Sequence, residues 1–413
     1  MTDIQPNTDQ ARLDNFLTKI DGIPKESEFD KEGRLTGLDL QRLNLTELPA
    51  EIGQLTNLQW LNLQYNQLET LPSELGQLTE LNQLFLHYNK LNQLPVELSQ
   101  LTKLESLWLH HNQLTELPAE IGQLRALREL WLYNNYLRAI PASIGQLSNL
   151  QSLNLETNRL SKLPTEIGQL SNLDELNLSN NDDLVSIPAE IGNLVQLSAL
   201  HLRVNMMTEL PPQIGKLTSL RQLDLSFNQL TKLPAEINNL IYLEQLLLND
   251  NQLSELSPRI AHLTKLKRLD LGNNQLSEIP VEISELKMLL SLHVPVNHLT
   301  SLPAEIMQLT HLESLDLKRN VLTSLPAEIS QMTSLQELDL RNNMLMTLPP
   351  EMGSMIQLRE LRLEDNQIGE IPVEFSNLVE LRELRLENNQ ITSLPVEVVR
   401  LMVNNRLTLK VTI

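Results

Sequence analysis

Three histidines are the side chains with the best claim to chemistry. His87 and His110 lie 23 residues apart at the same place in two adjacent repeating units, and His111 follows directly. Imidazole is a common zinc ligand and a base that titrates near neutral pH. His87 and His110 are close enough to share an ion, yet no third ligand of suitable type and no acidic cluster is arranged with them. Neither a metal nor a cofactor is expected. Catalysis needs a carboxylate pair in a pocket, or a nucleophile with its base, and neither is present. The serines and histidines are scattered over repeat positions that solvent or packing explains, so an enzyme is not expected.

The histidines sit among aromatic residues. The chain has 3 Trp, 5 Tyr and 5 Phe, thirteen in all, and eight of them occupy outward places of the repeat. Seven of the eight fall in four consecutive units: Trp60, Tyr65, Phe85, Tyr88, Trp108, Trp131 and Tyr133. Neighbouring strands lie ~4.8 Å apart, so Phe85, Trp108 and Trp131 form one contiguous row and Tyr65 and Tyr88 a second. His87, His110 and His111 fill the gaps, with Tyr136 at the edge. Cross-strand aromatic pairs stabilise a sheet by ~0.2–1 kcal/mol each without any partner. That account leaves unexplained why only these units carry them. Trp and Tyr are the preferred anchors of protein–protein contacts. These ten residues, Trp60, Tyr65, Phe85, His87, Tyr88, Trp108, His110, His111, Trp131 and Tyr133, are therefore read as a partner-binding surface.

The elements that position them repeat every 23 residues, sixteen times, in the pattern LxxLxLxxNxLxxLPxxIxxLxx from Leu35 onward. A fixed period of this size marks a solenoid. Within each unit LxLxx reads as a short strand with its leucines inward and the residues between them outward. Stacked units then pair their strands into one parallel sheet. The Asn that follows recurs in fifteen of sixteen units, and its amide can satisfy buried loop groups in a ladder. In the first unit Leu43 takes its place. Pro fixes φ and can open a short helical turn on the opposite side; it follows Leu or Ile in fifteen units, and at Ser257 it comes one residue late, as Pro258. One extra residue in Asn181-Asp182-Asp183-Leu184 should bulge a loop without breaking the stack.

Outside the repeat, residues 1–34 read as an N-terminal helical cap: Thr8 starts a helix to about Ile20, with Leu13, Phe16, Leu17 and Ile20 on one face. Residues 35–401 form the repeat domain. Residues 402–413 read as a C-terminal cap, in which alternating Leu407, Leu409, Val411 and Ile413 suggest a sealing strand.

The net charge of −20 argues against a nucleic-acid backbone or an anionic membrane as main partner. Most of it is one stripe, because thirteen of sixteen units carry Glu two residues after the Pro place. The chain has no cysteine, no apolar stretch follows Met1, and no run approaches a spanning helix. A cytoplasmic monomer is the expectation. In the distal units Lys318, Arg319, Arg341, Arg362 and Arg385 interleave with acids, giving self-compensating links or a secondary, electrostatic contact region.

The LPxxIxxL unit resembles the intracellular Ras-group leucine-rich-repeat proteins, which include Ras-suppressor-type and signalling-scaffold proteins and the repeat arrays of ROCO proteins. The resemblance covers residues 35–401. It implies an α/β solenoid, a horseshoe with a concave parallel β-sheet, short helical or irregular convex segments and about 16 repeats. It also implies a scaffold that grips a protein, such as a small GTPase or signalling enzyme, on the concave sheet. No GxxxxGK(S/T) loop is present for a GTPase, and zero cysteines exclude the ubiquitin ligase of some bacterial effectors. The near-identical PAEIGQL strings suggest a bacterial origin. The alternative function is an exported or surface-associated bacterial protein that binds a host protein or glycan.

Overall fold

The computed structural model describes residues 8–404 and 408–410. The chain divides into two compact units, Met1–Met206 and Met207–Ile413, both built from the same repeat.

In the first unit, strands Leu35–Asp39, Trp60–Asn62, Gln83–Phe85, Ser106–Trp108, Glu129–Trp131, Ser152–Asn154, Glu175–Asn177 and Ala199–His201 follow one another through the repeats. They pair in parallel with Leu38, Leu61, Leu84, Leu107, Leu130, Leu153, Leu176 and Leu200 in register. These leucines are fully buried, as are their partners two residues on. One face of each strand is thus core and the other is open, as period-two alternation requires. The second unit repeats the scheme from Gln222–Asp224 to Glu383–Arg385. The sequence pattern and the fold agree on a solenoid with a parallel sheet on one side.

From the second repeat on each strand is three residues long, and at the eighth place of the repeat the chain turns left-handed. Tyr65, Tyr88, His111 and Asn134 have φ of 53°, 55°, 55° and 55°. Nothing in the repeat consensus announced this turn. An L-residue there is disfavoured by ~1–2 kcal/mol, least for Asn and Asp. The turn presents the next residue, the ladder Asn, to the interior. Asn89 shows the pattern: its amide donates to the carbonyls of Leu63 (2.9 Å) and Leu86 (3.0 Å) and accepts from the Leu68 N–H (3.0 Å). One side chain therefore ties two turns of the solenoid together. Where Leu43 replaces the Asn, the Asn66 amide oxygen accepts from both Leu43 and Leu45 N–H. The extra residue is absorbed as expected: Asn181 N–H finds the Asn205 amide oxygen at 2.9 Å, and the strand register runs on.

Opposite the sheet, each LPxxIxxL segment is a five-residue 3-10 turn such as Val96–Gln100. Pro95 stands just before it in extended geometry, and i+3 bonds close it (Leu98 N–H to Pro95 O, 3.1 Å). Consecutive turns pack closely. A Cβ at Gly76 would come within 2.4 Å of the Glu97 carbonyl, so glycine is required there. In the last unit, at Val396–Asn404, the turn lengthens into an α-helix.

Helix Thr8–Leu17 is shorter than its pattern suggests; Leu13 and Phe16 are buried, while Leu17 and Ile20 are half-exposed. Asp9 anchors it, accepting from Leu35 N–H (3.0 Å) and the Asn57 amide (2.8 Å). A strand that sequence reasoning missed, Glu26–Phe29, then pairs antiparallel with Leu35–Asp39. At the far end Thr408–Lys410 pairs in parallel with Glu383–Arg385. Leu407, Val411 and Ile413 lie outside the described residues.

Candidate partner-binding surface

Nine of the ten residues singled out in the aromatic units come together on the open face of the first unit's sheet. They form three stacks, one for each outward place. At the fifth place Phe85 meets Trp108 edge-on (4.8 Å between centroids, 63°), and Trp108 stacks on Trp131 (4.4 Å, 8°). At the seventh, His87 stacks on His110 (4.3 Å, 18°) and His110 on Tyr133 (4.2 Å, 10°). At the eighth, Tyr65 stacks on Tyr88 (4.4 Å, 6°) and Tyr88 on His111 (4.1 Å, 11°). Neighbouring stacks touch edge to face, as in Tyr88–His110 (5.9 Å, 81°) and His111–Tyr133 (5.4 Å, 80°).

The geometry follows from the strand spacing. Parallel strands ~4.8 Å apart hold same-place rings almost at stacking distance. The ring planes therefore stand upright on the sheet, with their faces turned to one another and their edges turned outward. The sequence gives the rows but not this orientation, which depends on rotamers.

His87 and His110 lie deepest, 7% and 4% exposed. Burial pushes the His87 imidazole down to about 4, helped by the nearby His111. His110 falls to about 3, from burial first and then from His87 and His111. Burial also lowers His111 and raises the Tyr88 and Tyr133 phenols. The whole surface is accordingly neutral at pH 7. The buried Nδ1 atoms of His87 and His110 have no hydrogen-bond partner. Among the described residues no group of three or more His, Cys, Asp or Glu is placed to hold a metal.

Trp60 does not join the stacks. It pairs in register with Gly37, and a Cβ there would lie 2.1 Å from the indole, so the ring occupies the space glycine leaves. Its Nε1 donates to Glu28 of the extra strand at 2.8 Å. Trp60 packs against the N-terminal segment. The glycine at the matching place of the preceding repeat was the signal available in the sequence.

The second unit carries a different face. Lys318 pairs with Asp316 (3.1 Å), Arg341 with Asp339 (2.6 Å) and Arg362 with Glu360 (2.5 Å). Arg385 is held by Glu383 and reaches Glu364 at 3.7 Å. The bond to Asp339 raises the Arg341 guanidinium further above its ordinary value. Burial raises the Glu364 carboxyl, and one oxygen of Glu364 and one of Glu387 are buried without a hydrogen-bond partner. Arg319 is exposed, and among the described residues it forms no ion pair. A groove of about 160 Å³ runs among these charges beside His293. There His293 Nε2 lies 3.0 Å from Ser291 Oγ, and its Nδ1 lies 3.8 Å from Asp270. The order resembles an acid–base–nucleophile relay. The link to Asp270 is longer than a hydrogen bond, however, and the Ser291 and Ser314 N–H groups are committed to Lys267 and Leu290 carbonyls. Neither serine's own N–H is therefore free to serve as an oxyanion donor.

A solenoid of 23-residue units with an Asn ladder and a side-chain-rich sheet face defines a repeat protein of the binding kind. The model described as leucine-rich repeat region matches residues 31–113, 107–211 and 258–349, and further leucine-rich-repeat models match 219–240 and 356–398. The chain belongs to the leucine-rich-repeat proteins. It is similar to the structure of a leucine-rich-repeat protein of Leptospira interrogans, with 38% identity, TM-score 0.74, and 90% of this chain and 95% of that one covered. It is also similar to the plant peptide hormone receptor RGFR1 in complex with RGF2 (30% identity, TM-score 0.79, 93% and 70% covered). A third neighbour is the functional domain of InlJ from Listeria monocytogenes (25%, TM-score 0.69, 87% and 70%). No curated protein is significantly similar to the chain in sequence.

Proposed function

We propose that the chain is a protein-interaction module that holds a protein partner on the stacked aromatic surface of its third to fifth repeats, with Tyr65 at its margin. The observation that carries this is a pair of buried histidines with unpaired ring nitrogens at the centre of the nine rings. An unmet buried polar atom costs about 1–3 kcal/mol, and Tyr at a left-handed position costs more than Asn. A surface built only for stability would carry Asn or Asp at these places, as other repeats do at Asn154, Asp224, Asn249 and Asn273. Features that oppose stability concentrate at functional sites. Leucine-rich-repeat proteins generally bind protein partners, and RGFR1 was solved with a peptide hormone.

The stacking argues for a protein over a glycan. Sugars pack on exposed aromatic faces, and here most faces are hidden against the next ring. By the resemblance of its LPxxI units, the partner is a small GTPase or signalling enzyme, the compartment is the cytoplasm and the scaffold is a monomer. The distal charges form a secondary contact region through Arg319. A second reading, an exported or surface protein, draws support from the Leptospira and Listeria neighbours. No helix among the described residues is long and apolar enough to cross a membrane. Affinity capture from the native cell with Trp108→Ala plus Trp131→Ala should lose the partner while circular dichroism stays unchanged. Equal capture would overturn the assignment. Fractionation that finds the protein on the cell surface would replace the cytoplasmic reading with the second.

A further inference from the structure

The stacks end at Trp131 and Tyr133, and each ring keeps one face without a ring against it. Trp131 touches Trp108 and His110, and Tyr133 touches His110 and His111, all from one side or an edge. On the far side the next strand carries short residues: Asn154 stands in register with Trp131, and Ser152 with Glu129. The aromatic surface therefore ends in a step at Trp131, above Ser152 and Asn154, while Glu156 holds the matching place beside Tyr133.

Elsewhere in this unit the chain covers an open tyrosine face with its own guanidinium. Arg42 lies 4.5 Å over Tyr65 at the other end of the eighth-place stack. Arg159 lies 4.6 Å over Tyr136. Among the described residues no cation covers Trp131 or Tyr133. Carboxylates surround the step instead. Glu129 accepts from Ser106 (3.2 Å) and the Trp108 indole (3.3 Å). Glu156 accepts from the amides of Asn177 (3.1 Å) and Asn180 (3.2 Å). Glu175 follows Ser152 in register on the next strand. None of the three forms an ion pair among the described residues, although Glu105 and Glu80 nearby are paired with Arg128 and Lys103.

We infer that this step receives an arginine side chain of the protein partner, its guanidinium flat against the outer face of Trp131 and its N–H groups directed to Glu156 and Glu175. The inference rests on the partner-binding reading of the aromatic surface and adds the partner's chemistry. A guanidinium combines a planar face for π-stacking with a fork of donors for carboxylates, and a lysine ammonium lacks the first. The neutral histidines keep the neighbouring surface free of opposing positive charge. The partner is thus a segment with apolar residues for the ring edges and an arginine at the end that overlies the sixth repeat.

The test uses the full chain and four capped pentapeptides, Gly-Leu-Xaa-Leu-Gly, with Xaa arginine, citrulline, lysine or glutamate. Binding is read from the Trp131 indole N–H resonance, identified by its loss in Trp131→Phe. The arginine peptide should bind about tenfold or more tighter than the citrulline peptide, which keeps the shape and loses the charge. Lysine should fall between them, glutamate should not bind, and Glu156→Gln with Glu175→Gln should erase the arginine preference. Both glutamates are on the surface of folded repeats, so that variant keeps its circular dichroism spectrum. Equal binding of arginine and citrulline, equal binding of arginine and lysine, or an arginine preference that survives the glutamate substitutions would overturn the inference. A lost arginine preference overturns it alone. A native partner that survives Trp108→Ala with Trp131→Ala overturns the reading beneath it.

Discussion

The first and second units are built on one repeat, yet their open faces solve opposite problems. In the first, nine rings stack, and two of them are histidines whose buried Nδ1 atoms stay unmet. In the second, acids and bases alternate along and across strands, so Asp339 holds Arg341 and Glu383 holds Arg385. The aromatic face is left incomplete by its own chain, whereas the charged face largely completes itself. On the proposed reading, identical frames thus carry one surface that stabilises and one that waits for a partner. The largest expected effect follows directly. Trp108→Ala with Trp131→Ala should weaken partner binding by at least about 100-fold, since each buried aromatic anchor is worth about 2 kcal/mol or more. Arg362→Ala with Arg385→Ala should change it by less than about threefold. Titration calorimetry of both variants against the captured partner checks the contrast, and a reversed order would break it.

Stability should divide the other way. Arg385 lies beside Glu383 and Glu364, near carboxylate oxygens of Glu364 and Glu387 that are buried without partners. Removing the cation leaves buried negative charge uncompensated. Arg385→Ala should therefore cost about 2 kcal/mol in urea unfolding. Arg319→Ala, with no ion pair to lose, should cost almost nothing. Equal losses would mean that the interleaved charges act as independent surface groups.

The histidines give a smaller effect with a definite pH signature. Replacing His110 by Phe removes an unmet buried nitrogen and keeps the stack, so His110→Phe should stabilise the fold by about 1 kcal/mol at pH 7.5. The advantage should then grow on acidification. In the unfolded chain His110 takes up a proton near its ordinary 6.5, whereas in the folded chain it resists until about 3. Between those values the unfolded state binds more protons, so wild-type stability falls as pH drops. His87 contributes likewise between 6.5 and about 4. Unfolding curves of His110→Phe and wild type should stay a constant distance apart above pH 7 and diverge from 6.5 towards 4. A constant difference throughout would mean that His110 is solvated and that the surface is looser than its stacking distances imply.

How much of this was legible in the sequence differs between frame and face. The leucines, the ladder asparagines and the prolines have single jobs at fixed places, and each does what its chemistry suggests; Asn89 bridges two turns with the three bonds its amide can form there. The aromatic rows were legible because register in a parallel sheet is the repeat itself. Trp60 falls outside the stacks because its neighbour across the strand is Gly37, and a missing side chain draws in a large one. The upright rings were not legible, since stacking is a choice of rotamer. Strand Glu26–Phe29 was hidden by its polar, largely exposed sequence, which has no alternation to detect.

The mildest prediction tests the contrast at its weakest point. Lys318 and Asp316 sit 3.1 Å apart in the charged face, and by position they belong to the same network as Arg341 and Arg385. Position alone does not confer stability. The lysine side chain is 36% exposed, and an ammonium offers a point charge where the guanidinium of Arg341 bonds Asp339 through both its Nε and its Nη2. Exposed pairs of this kind are typically worth about 0–1 kcal/mol and are screened by salt. Lys318→Gln should accordingly change unfolding stability by less than about 0.5 kcal/mol, and by still less at 0.5 M salt. A loss approaching that of Arg385→Ala would show that the charged face is one cooperative network reaching into the 312–334 repeat. A negligible loss confines the self-completing part to the arginines, and the lysine then becomes, with Arg319, the portion of this face still open to a partner.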